Sequence, residues 1–192
     1  TKAEKKGLSF QAIEQSQNIQ LIKTHFDSFQ NAHFISAGRM TRPQETWDCM
    51  FDAIVNGKAT LFLAVKDDTI CSYLFCGEFE KIAIGWSQVN IEEYEKEYSP
   101  RHFLEWNTII YYQKKGFNFY IVGERYFGDQ LFHHPTKKEQ SIGQFKERYG
   151  GTMLPVIVWT GYLDKQLMQN EMSQMMNCYL ENSNGCAFPT VY

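Results

Sequence analysis

Residues 99–123 read SPRHFLEWNTIIYYQKKGFNFYIVG, and this stretch decides the fold. Ser99-Pro100 suits a helix start: serine is a good cap, and the N–H that proline lacks has no partner in a first turn. Phe103, Trp106, Asn107, Ile110 and Tyr111 recur at three and four and form one face of that helix, which Gly116 closes. Residues 118–122 change to the strand period and are apolar in their second half, as a buried parallel strand would be. Residues 81–89 upstream also read as a strand. Strand, helix, strand is a crossover, and crossovers join parallel strands.

Working outward, residues 60–65, 69–76 and 81–89 are short β-branched or aromatic runs. Asp67-Asp68 separates the first two and residues 77–80 the next two, which predicts an antiparallel meander. From Asn18, the positions Ile22, His25, Phe26 and Phe29 give an amphipathic helix. Pro43 suits the first turn of a second helix, with Trp47, Met50, Phe51 and Ile54 as its buried stripe and Gly57 at its end. Residues 1–17 are polar and rich in Lys and Gln, and are expected to be a loosely ordered lead-in. Residues 123–137 show no periodicity. A helix over 138–149, a strand over 154–160 and a Met-rich helix over 163–180 follow. The expected fold class is α/β with a mixed (α+β) sheet: an antiparallel meander plus a parallel strand pair joined by a crossover helix. The organisation is a lead-in (1–17), one domain (18–161) and a C-terminal helix and tail (162–192).

The 192 residues are 43% hydrophobic and 16% aromatic, enough for one core. Nineteen Lys and Arg against 22 Asp and Glu leave a net charge of -3, which argues against a general nucleic-acid partner. No apolar run approaches the ~20 residues of a membrane span. No secretory leader pattern is present, and the chain opens on Thr1, as a processed or trimmed chain would. Cys49, Cys71, Cys76, Cys178 and Cys186 lack CxxC spacing, so neither a disulfide framework nor a bound metal is expected, and a cytoplasmic setting fits.

The order of elements, with Ser99-Pro100-Arg101-His102-Phe103-Leu104-Glu105-Trp106, Phe119-Tyr120-Ile121-Val122-Gly123-Glu124 and Phe145-Lys146-Glu147-Arg148-Tyr149-Gly150-Gly151, resembles the GNAT superfamily of acyltransferases and, within it, the FemAB-like branch. Gly38-Arg39-Met40-Thr41-Arg42 and Glu45-Thr46-Trp47 add to that likeness. It covers residues 18–161. The resemblance implies a single GNAT-like domain whose parallel pair splays to admit an acyl donor. It implies an N-acyltransferase that moves an acyl group, acetyl above all, from an acyl-coenzyme A donor such as acetyl-CoA to a primary amine of a small polar acceptor, an amino sugar or amino acid. One departure bears on the donor. The glycine-rich pyrophosphate loop of coenzyme A-dependent relatives is replaced by Tyr98-Ser99-Pro100-Arg101-His102-Phe103. Two alternatives stay open: a FemAB-type transferase using aminoacyl-tRNA, and a non-catalytic binding or assembly domain. The sequence leaves the oligomeric state open, a homodimer included.

Candidate residues follow. Gly85 and Ser87-Gln88 inside an apolar strand fit a bulge, which makes Gln88 and Val89 donor-binding candidates; a solvent-facing polar position is the alternative. Ser99, Arg101, His102 and Phe103 open the crossover helix, where N–H groups and the helix dipole suit a phosphate; an ordinary capped helix is the alternative. Glu124 stands at the carboxyl end of the 118–122 strand, where ligands of such sheets sit, and is a candidate base that takes the amine proton directly or through water; by the resemblance, Lys146 is the cation on the oxyanion. The plain alternatives are a salt bridge of Glu124 with Arg125 or Arg101, and a surface lysine beside Glu147 and Arg148. His134 is a further base candidate, and His133 and Tyr126 lie in the same acceptor-side loop. Arg39, Arg42 and Glu45 would border the acceptor, unless they form an internal Arg–Glu45 network. The methionines at 168, 172, 175 and 176 are expected to pack into a core rather than an interface.

Overall fold

The computed structural model describes residues 2–125, 135–155 and 161–182. They form α1 (Lys2–Lys5), β1 (Leu8–Ile13), α2 (Ile19–Ala37), α3 (Gln44–Val55), β2 (Ala59–Lys66), β3 (Thr69–Phe79), β4 (Ile82–Asn90), α4 (Glu92–Tyr98), α5 (Pro100–Lys114), β5 (Phe119–Ile121), α6 (Lys137–Glu147) and α7 (Lys165–Asn182). The chain divides into two compact units, residues 1–123 and 124–192.

The first unit holds a five-stranded mixed sheet in the order β1-β2-β3-β4-β5. Its first three pairings are antiparallel and the last, β4 with β5, is parallel. The β2–β3 turn uses Asp67 (φ 46°) and Asp68 (φ 64°), the left-handed pair that a two-residue hairpin needs. The second hairpin is tighter than residues 77–80 suggest. β3 runs on to Phe79, and the chain reverses at Glu80, φ 50°.

Period-two side chains send the strands' apolar residues to both faces. Leu61, Leu63, Val65, Tyr73 and Phe75 pack under Phe26, Phe29, Trp47, Met50 and Ile54 of α2 and α3. Phe62, Ala64, Leu74 and Cys76 pack under Phe103, Leu104 and Tyr112 of α5. Two carboxylates, half-buried Glu78 and buried Glu105, tie α5 to the sheet. Glu78 Oε1 accepts from Thr60 (2.5 Å) and Tyr112 (2.8 Å), and Glu105 Oε1 accepts from Tyr120 (2.7 Å). Burial pushes both tyrosines far above their usual range, so they stay protonated donors.

Two expectations are corrected. The lead-in is not loose: β1 pairs with β2 from Leu8↔Lys66 to Ile13↔Leu61, with Leu8 and Ile13 buried. Ser9 and Gln11 alternate with Leu8, Phe10 and Ala12, so a half-buried strand reads as a polar tail. Against the buried parallel strand expected, β5 is three residues long and Phe119 is 61% exposed. Residues 92–98, to which the sequence reading gave no element, form a helix, α4.

In the second unit, α6 opens on a capping box in which Thr136 and Glu139 satisfy each other's backbone N–H. Phe145 and Tyr149 stack edge to face at 5.4 Å. Residues 151–155 have no regular structure, and the rest of the strand expected over 154–160 lies outside the described residues. α7 forms as expected; Met172 and Met176 are exposed, and Met168 and Met175 are half-buried. No helix of the described residues is long and apolar enough to cross a membrane.

Candidate functional site

β4 breaks its own pattern at the point where the sheet divides. Phe75 pairs with Ser87 and Cys76 with Gly85, which leaves Trp86 as the extra residue of a bulge. The extra residue flips the side-chain phase. Ala83 faces the α5 core, whereas Val89, six residues on, faces the α2–α3 core. The bulge expected near Gly85 is present, and its centre is Trp86.

Parallel pairing with β5 covers three residues and ends at Ile84↔Ile121. Beyond it, residues 85–90 of β4 have no strand partner on that side among the described residues. Gln88 lies on this free stretch, and its Nε2 is buried without a hydrogen-bond partner. Such a donor is costly to leave unmet, so it marks a place for an acceptor atom. Val89 points into the core, so only its main chain can serve a ligand.

A polar cluster lies on the α2–α3 side of the bulge. Arg42 Nη2 donates to Ser87 Oγ at 2.9 Å, and Ser87 Oγ lies 3.0 Å from His33 Nε2. A guanidinium can only donate, so the serine oxygen accepts from it and the hydroxyl hydrogen is left for His33. Burial, and then the charge of Arg42, hold the His33 pKa down at about 4, so the ring is neutral at pH 7 and keeps a lone pair for that bond. The Arg42 guanidinium stacks 4.9 Å over Trp47, and its Nη1 is buried without a hydrogen-bond partner. Arg42 thus turns to Ser87 and Trp47 rather than to Glu45. Glu45 and Arg39 are exposed.

His33 escaped the sequence reading, and Ser87 figured there only as a polar interruption. The available signal was helical spacing: His33 follows Phe29 by one turn and packs edge-on against it at 4.8 Å.

The N-terminus of α5 differs from expectation. Ser99 makes no side-chain cap bond and adopts a left-handed conformation, φ 49°, because it also closes α4, donating its N–H to Glu95 O at 3.1 Å. Pro100 occupies the first turn as expected. The Phe103 side chain is buried in the α5 core, away from any ligand. The Glu95 carboxyl accepts from the Arg101 backbone N–H; its pKa is raised by burial, against the pull of the Arg101 charge and of that N–H. His102 is half-buried in the same turn.

In the second unit, Lys146 Nζ donates to the Glu124 main-chain oxygen at 3.2 Å, which brings these two candidates together. Arg125 pairs with Glu147 at 2.6 Å. Tyr126, His133 and His134 lie outside the described residues. Among the described residues, no group of three or more His, Cys, Asp or Glu could hold a metal ion.

No protein-family model and no curated protein matches the chain. Solved structures do, and among them are GNAT-fold acetyltransferases. An aminoglycoside acetyltransferase from an uncultured soil metagenomic sample, in complex with sisomicin, is 13% identical with a TM-score of 0.56, over 82% of this chain and 97% of that one. An aminoglycoside N-acetyltransferase in complex with CoA is 10% identical with a TM-score of 0.54, over 82% and 95%. The C-terminal domain of a putative lysylphosphatidylglycerol synthetase from Agrobacterium fabrum is 15% identical with a TM-score of 0.52, over 77% and 43%. At these identities the likeness is one of fold.

Proposed function

We propose that this chain is an N-acyltransferase of the FemAB-like type. It holds an acyl donor along the free stretch of β4 and passes the acyl group to a primary amine of a small polar acceptor, such as an amino sugar or an amino acid. The observation that carries this reading is the end of β4–β5 pairing at Ile84↔Ile121, next to the Trp86 bulge, in a sheet whose fold is that of acetyltransferases.

The unpaired stretch of β4 offers main-chain N–H and C=O groups to an extended arm, as a neighbouring strand would. Gln88 Nε2 adds a donor that lacks a partner. An amine attacking the acyl carbonyl puts negative charge on its oxygen, and strand N–H groups preorganised at the bulge are suited to receive it. The amine must also lose a proton. Glu124 is the base in our reading, Lys146 a second support for the oxyanion, and His134 an alternative base. The leaving group departs with the electron pair of the broken acyl bond. Arg42, Ser87 and His33 border the acceptor side, with Arg42 as the group for an acidic substituent.

Of a coenzyme A donor, the arm suits β4, whereas the α5 N-terminus does not suit the pyrophosphate. An aminoacyl-tRNA would meet the same acidic approach, since Glu92, Glu93, Glu95 and Glu97 precede α5.

The test is acyl transfer from acetyl thioesters to a panel of amino sugars and amino acids, with products read by mass. Wild type yields acylated amine. Gln88→Leu raises the donor KM about tenfold with kcat little changed, and Glu124→Gln lowers kcat about a hundredfold. Absence of acylated product across the panel overturns the reading.

A further inference from the structure

A donor of the coenzyme A kind carries a pyrophosphate, which proteins commonly hold on unengaged N–H groups at a helix N-terminus. In this chain Pro100 removes one of those groups, and those of Ser99, Arg101 and Phe103 are taken by the chain itself. Pro100 has no N–H. The Ser99 N–H donates to Glu95 O at 3.1 Å, and the Phe103 N–H to Ser99 O at 3.2 Å. The Arg101 N–H donates to the Glu95 carboxyl, which also meets the charge of the Arg101 side chain. One residue of α4 therefore engages the turn twice, through its main chain and through its carboxyl.

The surroundings reinforce this arrangement. Glu92, Glu93 and Glu97 share α4 with Glu95. Of the lysines on this side, Lys96 lies in α4 itself, and Lys6 and Lys66 lie 5.7 and 5.9 Å from the Tyr98 ring centre. Lys6 Nζ donates to Glu97 O and Lys66 pairs with Asp67, so both are engaged. Ser99 also places a Cβ at a left-handed turn where a phosphate loop would carry glycine.

We propose that the Glu95 carboxyl fills the anion position at the N-terminus of α5, so that the acyl donor is held by its extended arm and not by a pyrophosphate. The part about the donor rests on the acyl-transfer reading; the part about the anion position does not. The donor class that follows is a thioester on a pantetheine-length arm, with the nucleotide of coenzyme A contributing nothing to recognition.

The experiment has two arms. Calorimetric titration with 3′-phosphoadenosine 5′-diphosphate, the nucleotide half of coenzyme A, is run on wild type, Glu95→Ala and Glu92→Ala. Glu92→Ala removes the same charge from the same helix without opening the α5 turn. No saturable binding is expected for wild type or Glu92→Ala, and Glu95→Ala is expected to bind at least about tenfold more tightly than either. Saturable binding by wild type equal to that of Glu95→Ala overturns the proposal, as does equal behaviour of the two variants. Should Glu95→Ala fail to fold, Glu95→Ser, whose side chain is too short to reach the Arg101 N–H, supplies the same comparison. In the second arm, acetyl-pantetheine and acetyl-CoA are compared as donors. Values of kcat/KM within about threefold of each other are expected, and a hundredfold preference for acetyl-CoA overturns the proposal. Transfer from neither donor overturns the acyl-transfer reading, while the titration still decides the anion position.

Discussion

Ser87 occupies the one β4 position where a bulge, a guanidinium and an imidazole meet. Its hydroxyl accepts from Arg42 and faces His33. Ser87→Ala strands both partners in a buried setting, so a loss of about 1–3 kcal/mol in unfolding free energy is expected from urea denaturation. A change within about 0.5 kcal/mol would show that the two partners re-pair without it. The His33 pKa fixes a pH dependence. It lies at about 4 in the folded protein against an ordinary 6.5. Between these values the unfolded chain binds more protons, so stability rises with pH through this window. The stabilisation by His33 is complete above pH 6.5 and lost as pH falls through about 4. His33→Gln should flatten that part of the stability profile; an unchanged slope would assign the titration to other groups. Arg42 was legible in sequence as a cation near an acceptor. Its partners were not, because Ser87 and His33 come from elements 54 residues apart.

At the scale of elements, the candidate site lies where β4 runs on past the end of its pairing with β5. Gly85, one residue past the last paired position, leaves room for the Tyr120 side chain. A Cβ there would lie 2.9 Å from the Tyr120 hydroxyl and 3.8 Å from Glu105 Oε1. That hydroxyl is held by the buried Glu105 carboxylate, so it cannot simply swing aside. Gly85→Ala should cost about 1–3 kcal/mol by overpacking. Combined with Tyr120→Phe, which removes the clashing oxygen, its cost should fall, and a double-mutant cycle reads the coupling. Strict additivity would show that the alanine is accommodated by strand movement instead. The glycine and the polar pair after it marked a bulge in the sequence. Its centre at Trp86 did not show, since register depends on β3 across the ladder. β1 was missed for a related reason. Its Gln and Ser look solvated until β2 supplies a neighbour for Leu8, Phe10 and Ala12.

At the scale of the molecule, both core clusters, among the described residues, draw every member from the first unit, reaching no further than Tyr120. The fragment 1–123 should therefore fold alone, with a cooperative urea transition and native-like near-UV dichroism. A molten, non-cooperative fragment would mean that residues beyond 123 complete the core. The sequence by itself determined the fold class and most of the elements, β1 and α4 excepted: hydrophobic period, turn residues and helix stops act over a few neighbours, and these are local quantities. It also carried the absence of pyrophosphate glycines before α5. Tertiary structure decided what local pattern cannot encode. It set where β4 slips against β3 and which polar groups are buried together around Ser87. Each of these depends on which distant groups share a space from which water is excluded, and there an unmet donor or an unpaired charge is costly enough to select its partner.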